Sequence, residues 1–190
     1  RQPLEDKVIR ISRVYGTYDF PADFMLCAAM NPCPCGHYPD MNRCRCTPAQ
    51  VMQYLGRISQ PLLDRLDLCA EVSPVDFEGL SSGRKGESTQ TIRERVICAQ
   101  DIQRERYKIE GIQFNGELSG AQIEKYCKME KDARQLLKMA FQNMPFSARA
   151  YHRILKVART IADMEATESI HRHHIAEALS YRAFDKKYWN

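Results

Sequence analysis

The sequence lacks any apolar run of the roughly 18 residues that a membrane-spanning helix needs. It also lacks an opening segment in which positive charge precedes a short apolar stretch, as in a secretory signal. No internal repeat and no low-complexity tract interrupts its 190 residues, which are enough for one domain or two small ones. The chain opens at Arg1, without Met and in mid-pattern. We therefore expect part of a longer, cytoplasmic, globular protein that has no membrane partner.

The net charge of the chain is also small, at +4, and it is unevenly distributed between residues 1–78 and residues 79–190. Residues 1–78 contain 8 basic and 10 acidic side chains, whereas residues 79–190 contain 20 and 14. The basic excess of the second part permits phosphate binding. A set of solvated helices would have the same excess, so charge alone does not identify the partner.

Cysteine, in contrast, is abundant, and four of the eight cysteines crowd into one loop. Cys33 and Cys35 form one C-x-C pair, and Cys44 and Cys46 form another. Four thiolates on a short loop can converge tetrahedrally on Zn²⁺, and a site with four protein ligands is structural because it leaves no position for water. His37 or a nearby cysteine could replace one ligand. Reduced free thiols and a pair of disulfides are the alternatives.

The first part of the chain has the pattern of an α/β unit. Alternating residues around a glycine predict a β-hairpin over 8–20, and continuous apolar runs predict buried strands over 24–30 and 67–72. Thr47 and Pro48 have the pattern of a helix start, and that helix should run to about Ile58.

The second part has a helical pattern throughout. Residues 79–86, GLSSGRKG, predict a linker between domains at 1–78 and 87–190. Helical spacing and capping residues predict helices over 89–108, 119–126, 130–142, 147–164 and 169–183. The predicted fold is therefore mostly helical α+β, with a hairpin and few strands followed by a helical bundle.

Two sets of side chains stand out in the first and last helices of the helical part. In the first helix, the residues at helical spacing are Ile92, Val96, Ala99, Ile102 and Gln103. In the last helix, His171, His173 and His174 stand at the start of an amphipathic stretch. We interpret these histidines as exposed polar side chains rather than as metal ligands.

Several strings resemble the ComM/YifB branch of magnesium-chelatase-like AAA+ proteins. They are AAMNPCPCG at 28–36, CRCTPAQ at 44–50, QPLLDRLDL at 60–68, FSARAYHR at 146–153 and VARTIA at 157–162. The resemblance runs along nearly the whole chain, in order, and its cysteine string is specific. It implies the C-terminal part of an AAA+ α/β core over 1–78 and a helical lid over 87–190.

The resemblance also implies an activity and partners. Such proteins are P-loop ATPases that use ATP and Mg²⁺ and assemble as homo-oligomeric rings, usually hexamers. The ComM branch is linked to DNA branch migration and to the integration of incoming DNA. The chelatase subunits proper drive metal insertion into a porphyrin, so a chelatase-type motor acting on a protein or tetrapyrrole partner is an alternative. A non-enzymatic zinc-binding interaction module is the other alternative.

The resemblance assigns roles to individual polar residues. Asn31 matches sensor 1, Arg65 the arginine finger that reaches a neighbouring subunit's nucleotide, and Arg149 sensor 2. Arg153 lies four residues further along the same helix face and could replace Arg149. Without the resemblance, Asn31 would be a turn residue, Arg65 an ion-pair partner of Asp64 or Asp67, and Arg149 part of a solvated helix face.

The predicted hairpin matches the one that projects into the channel of ring helicases. Arg13 and Arg10 could contact DNA phosphates there, and Tyr15 or Tyr18 could stack on a base. A hairpin that is only structural is the alternative.

The phosphate-loop pattern G-x-x-x-x-G-K-[ST] is absent from the sequence, although Gly79 to Ser88 resemble it in composition. No acidic Walker-B strand is present either. We therefore expect ATP and Mg²⁺ to be held mostly by residues upstream of Arg1, and this chain alone not to hydrolyse ATP.

Overall fold

The structure is a computed structural model that describes residues 2–73, 75, 77–81, 83, 86–144 and 146–182, apart from the side chains of residues 79 and 80. No helix within these ranges is both long enough and apolar enough to cross a membrane. The described chain divides into two compact units, one ending at Leu66 and one beginning at Asp67. This division precedes the predicted linker at 79–86, and the predicted domain boundaries stay a prediction.

A short helix and a hairpin open the first unit. Helix α1 spans Gln2–Asp6, and strands β1, Val8–Arg13, and β2, Gly16–Pro21, pair antiparallel with Val8 opposite Pro21 and Arg13 opposite Gly16. The two-residue loop between them fits a tight hairpin connection. The predicted hairpin is confirmed.

The two predicted buried strands are wrong. Residues 24–30 and 67–72 have no strand structure, and Met25 is 92% exposed while Val72 is 89% exposed. A strand buried on both faces needs a hydrogen-bonded neighbour on the sheet and layers that cover its faces. The described residues provide neither to these two segments, so their apolar character does not produce a sheet.

Two helices follow the cysteine loop. Helix α2, Pro48–Leu55, begins with a capping box in which Thr47 and Gln50 each accept a hydrogen bond from the other's backbone N–H. Helix α3, Gln60–Leu63, is a single turn that ends at Asp64. Val51, Leu55 and Leu63 are buried, so the apolar faces of these helices supply most of the buried side chains of the first unit.

The second unit is a helical bundle, as predicted. Its α-helices, with one 3₁₀ turn at Asn115–Glu117, are α4 Phe77–Ser81, α5 Thr89–Tyr107, α6 Gly120–Tyr126, α7 Lys131–Asn143, α8 Ala148–Met164 and α9 Arg172–Ser180. Helix α4 covers the first residues of the predicted linker. Residues 82, 84 and 85 of that linker, and Pro145, lie outside the described residues.

Helix α9 begins later than predicted. Its N-cap is His171 rather than Ser169. The reason is local pairing: the N–H of Ile170 donates to the carbonyl of Lys128 over 2.8 Å, and the N–H of Glu130 donates to the carbonyl of Ile170 over 3.1 Å. This short parallel bridge keeps the chain extended through Ile170, so the helix starts only after it.

Helix α8 is the centre of the bundle core and packs on α5, α6 and α9. Ile154, Leu155, Ala158 and Ala162 on its inner face are buried. Helix α5 packs only through its second half, where Ala99, Gln103 and Tyr107 are buried.

The first turns of α5 form the predicted helix but are exposed. Ile92 is 43% exposed and Val96 42% exposed, because the first turns of α5 have no described neighbour to cover them. Apolar spacing predicted the helix correctly, but the length of its contact with the bundle depends on the other helices.

A buried polar network ties three elements of the bundle together. Asp163 accepts hydrogen bonds from Arg106 over 2.9 Å, from Asn115 over 2.8 Å and from Arg159 over 3.1 Å. Asp163 and Arg159 have fully buried side chains. A buried charge is tolerated only when it is paired and hydrogen-bonded, and here both carboxylate oxygens have partners.

Candidate functional site

The four loop cysteines converge on one point. The Sγ atoms of Cys33 and Cys35 are 3.4 Å apart, those of Cys33 and Cys44 are 3.8 Å apart, and those of Cys35 and Cys44 are 3.6 Å apart. All four sulfur atoms, that of Cys46 included, lie within 4.8 Å of one another. Four Zn–S bonds of about 2.3 Å in a tetrahedron separate the sulfurs by about 3.8 Å. The cluster therefore has the size of a tetrahedral zinc site.

Local backbone structure holds the two cysteine pairs together. Gly36 has φ +82°, which allows the chain to turn directly after Cys35. The buried sulfur of Cys33 accepts a hydrogen bond from the N–H of Tyr38 over 3.4 Å. Cys46 immediately precedes Thr47, the N-cap of α2, so a helix start fixes the end of the loop. Cys33 packs on Val51 and Leu55 of that helix.

The thiols of the cluster differ in their pKa values. Hydrogen bonds from the backbone N–H groups of His37 and Arg45 lower the pKa of Cys35 to about 6. The N–H of Cys35 favours the thiolate of Cys46, but burial and the neighbouring Cys35 and Cys33 sulfurs outweigh it and raise the pKa of Cys46 to about 12. Four thiolates repel one another unless a cation lies between them, so this arrangement suits a bound metal ion.

Asn31 lies at the edge of the cysteine cluster. Its exposed side-chain amide faces Gly36, and a Cβ built on that glycine would be 3.8 Å from the Asn31 Cγ atom. The amide of Asn31 therefore lies beside the turn at Gly36, with room for little more than a methyl group between them. Because the strand predicted before Asn31 does not form, the cysteine loop is the described structure that positions it.

Arg65 is held within its own unit. Its Nη2 donates to Glu5 Oε2 over 2.7 Å, and its Nη1 donates to the carbonyl of Pro61. The Nε atom of Arg65 is buried and has no hydrogen-bond partner in the described chain. The sequence indicated Asp64 or Asp67 as the ion-pair partner, but Glu5 in α1 takes that place.

Arg149 and Arg153 on α8 differ in their partners. Arg149, in the first turn after the N-cap Ser147, is exposed, and its side chain forms no ion pair with the described residues. Arg153 donates to a carboxylate oxygen of Asp67, and only 21% of its side chain is exposed. Of the two, Arg149 is therefore the one that can reach a ligand without breaking an ion pair.

The candidate DNA-contacting arginines of the hairpin also differ. Arg10 and Asp19 are directly opposite each other, and the guanidinium donates two hydrogen bonds to the carboxylate, of 2.7 and 2.8 Å. Arg13 is exposed beside the loop and forms no ion pair in the chain as described. Tyr15 at the tip is 97% exposed. Arg13 and Tyr15, rather than Arg10, are the free groups of this hairpin.

The histidine interpretation is wrong for His174, which is fully buried. Its Nδ1 accepts the backbone N–H of His171 over 3.0 Å, so Nε2 carries the proton and donates to Glu165 over 3.0 Å. His173 Nε2 lies 2.9 Å from the same carboxylate oxygen. A protonated Nε2 cannot coordinate a metal. The cluster is thus a hydrogen-bonded helix start, in which His174 replaces the usual Gln or Glu of a capping box.

The residues that sequence reasoning missed are acidic partners. Glu5 lies 60 positions from Arg65, and Asp67 lies 86 positions from Arg153. Separations of this size have no signal in periodicity or capping patterns. The contact between Glu165 and the histidines could have been suspected from the sequence. Glu165 stands at one end of the short segment that joins α8 to α9, and His173 and His174 stand at its other end.

Matches to the sequence profiles of known families show which family the chain belongs to. The profile described as "Magnesium chelatase, subunit ChlI C-terminal" matches residues 86–182, half of the chain, and that described as "Magnesium chelatase, subunit ChlI" matches residues 1–80. The chain belongs to the magnesium-chelatase ChlI family. Within it, the chain is of the ComM/YifB type, as the cysteine string indicated.

Curated relatives in this family match over almost the whole chain. The YifB protein of Salmonella typhimurium is 45% identical over 188 residues, which are 98% of this chain and 36% of that protein. The competence protein ComM of Haemophilus influenzae is 45% identical over 184 residues, 96% of this chain and 35% of ComM. The chain thus spans little more than a third of the length of these relatives.

Membership of the ChlI family places the chain among AAA+ proteins, a group of ATPases that form oligomeric assemblies. Asn31 and Arg65 lie in the first unit, and Arg149 and Arg153 lie in the second. None of the four belongs to a phosphate loop, since the sequence contains no such pattern.

Proposed function

We propose that this chain contributes the nucleotide-sensing residues of a ring-forming AAA+ ATPase that couples ATP hydrolysis to DNA remodelling, either branch migration or the integration of incoming DNA. The observation that carries the proposal is the availability of Arg149. It stands exposed in the first turn of the long lid helix α8, and it forms no ion pair in the described chain. Family membership and the 45% identity to a competence protein support the choice of activity and substrate.

Each of the side chains proposed to sense nucleotide fits phosphate oxygens. Asn31 offers a neutral amide, which can orient water or a γ-phosphate oxygen, and Arg149 offers a guanidinium whose planar donors match phosphate. Phosphoryl transfer needs positioning and positive charge more than covalent help from the protein. ATP supplies the transferred phosphoryl group. The Mg²⁺ ion would be held mostly by residues outside this chain, because no phosphate-loop or Walker-B sequence is present.

Arg65 has the role of an arginine finger in this proposal. It acts on the nucleotide of a neighbouring subunit, so the active protein is a homo-oligomeric ring, with a hexamer as the expected state. In the resting chain Glu5 holds the guanidinium. The buried Nε has no partner among the described residues, which indicates that this arrangement does not satisfy the arginine fully. Arg153, paired with Asp67, positions the start of the lid instead of contacting nucleotide.

The cysteine cluster has a structural role in the proposal. Cys33, Cys35, Cys44 and Cys46 would hold one Zn²⁺, which neutralises their thiolates and orders a loop with few apolar residues. Because Asn31 lies beside the turn at Gly36, an ordered loop would also order the Asn31 amide. On the hairpin, Arg13 would contact DNA phosphates with Tyr15 beside it, while Arg10 stabilises the hairpin through Asp19. With ATP and DNA as its ligands, the protein would act in the cytoplasm.

The test is ATP hydrolysis by the full-length protein with and without branched DNA. We expect branched DNA to raise the hydrolysis rate, and its effect to fall steeply as salt increases from 50 to 200 mM. Hydrolysis that does not respond to DNA but responds to a tetrapyrrole or a chelatase-type protein partner would favour the second candidate, which rests on the ChlI family match. A full-length protein that does not hydrolyse ATP would contradict both and leave a zinc-binding module.

A further inference from the structure

The second unit contains a groove whose lining includes none of the residues discussed as nucleotide-sensing or zinc-binding. It runs between α6, α7 and α8 and has a volume of about 690 Å³, within the range of about 300–1,000 Å³ typical of ligand sites. Its floor consists of buried apolar side chains, Ile123, Leu137 and Leu155. Two half-buried aromatic rings, Phe141 and Tyr151, line it as well.

The rim of the groove is positively charged. Lys128, Arg134 and Lys138 are exposed, and within the described parts of the chain none of their side chains forms an ion pair. Glu124 is the one carboxylate of the lining. Arg134 and Lys138 are four residues apart on α7, where like charges repel. An anionic ligand would relieve that repulsion, and no described carboxylate does so.

The aromatic pair gives a second indication of which ligand the groove binds. The rings of Phe141 and Tyr151 have centroids 5.6 Å apart and are nearly perpendicular, at 82°. In such a pair the face of one ring meets the edge of the other. Cations that follow a groove together with aromatic rings form the combination that binds single-stranded nucleic acid, where phosphates contact the cations and bases stack. An acidic peptide would use the cations but would gain nothing specific from the rings.

We propose that this groove binds single-stranded DNA, with phosphates on Lys128, Arg134 and Lys138 and a base against the aromatic pair of Phe141 and Tyr151. The proposal deepens the function proposed above and rests on it for the choice of DNA as the polymer. It places a DNA contact in the lid, separate from the hairpin of the first unit.

The first measurement is fluorescence anisotropy of a labelled oligothymidylate with the 190-residue chain at several salt concentrations. The variant K128Q/R134Q/K138Q should bind at least tenfold more weakly. The slope of log affinity against log salt should fall in magnitude by about 2, because each phosphate contact to a single strand contributes about 0.7. The matched control is R93Q/K108Q/R172Q, which removes three exposed cations outside the groove. Equal affinity of the triple variant and the wild type would overturn the proposal.

The second measurement tests stacking without changing the protein. An abasic oligonucleotide of the same length keeps every phosphate and removes the bases, so we expect roughly tenfold weaker binding than for oligothymidylate. Polyglutamate of matched charge should compete poorly. If the abasic strand binds as tightly as oligothymidylate, or if polyglutamate displaces it at equal charge concentration, the groove is an anion or acidic-peptide site and the proposal is wrong.

Failure of this inference can be told apart from failure of the proposed function. If the triple variant of the full-length protein keeps full DNA stimulation of ATP hydrolysis while Arg13→Gln abolishes it, the groove proposal fails and the function stands. If DNA fails to stimulate the wild type, the proposed function fails, and the anisotropy measurements on the 190-residue chain still decide the groove.

Discussion

Arg65 and Glu5 form an ion pair of 2.7 Å between Nη2 and Oε2 within the first unit, although they are 60 positions apart in the sequence. The side chain of Arg65 is 11% exposed and that of Glu5 36% exposed. A residue proposed to act on a neighbouring subunit's nucleotide is therefore held by its own subunit. The pair provides a way to separate the two roles of the arginine.

The first prediction concerns Glu5→Gln in the full-length protein. This change removes the charge that holds Arg65 and leaves the arginine intact. We expect ATP hydrolysis to stay within about threefold of the wild type, because glutamine keeps a hydrogen-bond acceptor beside Arg65 and leaves the guanidinium able to act on nucleotide. Steady-state phosphate release measures this. If Glu5→Gln and Arg65→Ala lower the rate equally, the ion pair itself is what matters, and Arg65 is not a finger.

The second prediction concerns the metal. The purified chain should contain one zinc ion, measured by mass spectrometry of the metal and by release to a chromogenic chelator. Cys46→Ser should lower the zinc content and the resistance of the loop to proteolysis, because four thiolates close the site. Cys27→Ser and Cys98→Ser, at exposed cysteines outside the cluster, are the matched controls. Zinc content in wild-type protein no higher than in a variant without the four cysteines would contradict the assignment.

The third prediction concerns the buried network of the bundle. Asp163→Ala leaves Arg159 as a buried charge without its carboxylate. We expect the free energy of unfolding to fall by about 3–5 kcal/mol. Urea denaturation followed by circular dichroism measures it. Glu168→Ala, at an exposed side chain in the segment between α8 and α9, should change stability by less than about 0.5 kcal/mol. A small effect of Asp163→Ala would mean that water reaches Arg159.

The fourth prediction concerns pH. Hydrogen bonds from Lys125, Tyr126 and Gln122 lower the pKa of Glu110 to about 2, from an ordinary value of 4.5. Because the folded pKa is the lower one, this contribution to stability is fully present above pH 4.5 and is lost as pH falls towards 2. The urea midpoint of the wild type should therefore drop between pH 5 and pH 3. Glu110→Gln should show a smaller drop than the exposed control Glu105→Gln, and an equal drop in both variants would contradict the assignment.

The sequence predicted a structural feature well where residues close together in the sequence determine it. Thr47 begins α2 and Ser147 begins α8 as expected, because capping depends on residues three positions apart. The hairpin formed because alternation and a tight turn lie within 14 residues. The four cysteines converge because one short loop contains them all.

Other features depended on distant partners and could not be predicted. The apolar residues 24–30 form no strand, since a strand depends on a neighbour that no pattern within the segment encodes. Ser169 does not cap α9, because Ile170 pairs with residues 128 and 130. His174 is buried for a similar reason: its ring closes a capping box and reaches Glu165, a contact that helical spacing alone does not reveal.

The central claim is that this chain supplies the arginines that act on bound ATP, and single-turnover ATP hydrolysis by the full-length protein tests it most directly. Arg65→Ala should slow hydrolysis on the order of a thousandfold while ATP still binds. Arg149→Ala should also slow it clearly, and Asn31→Ala should do so without a change of charge. Arg172→Ala, at an exposed arginine on α9, is the control and should be unchanged. Hydrolysis by both Arg65→Ala and Arg149→Ala within twofold of the wild type would contradict the account.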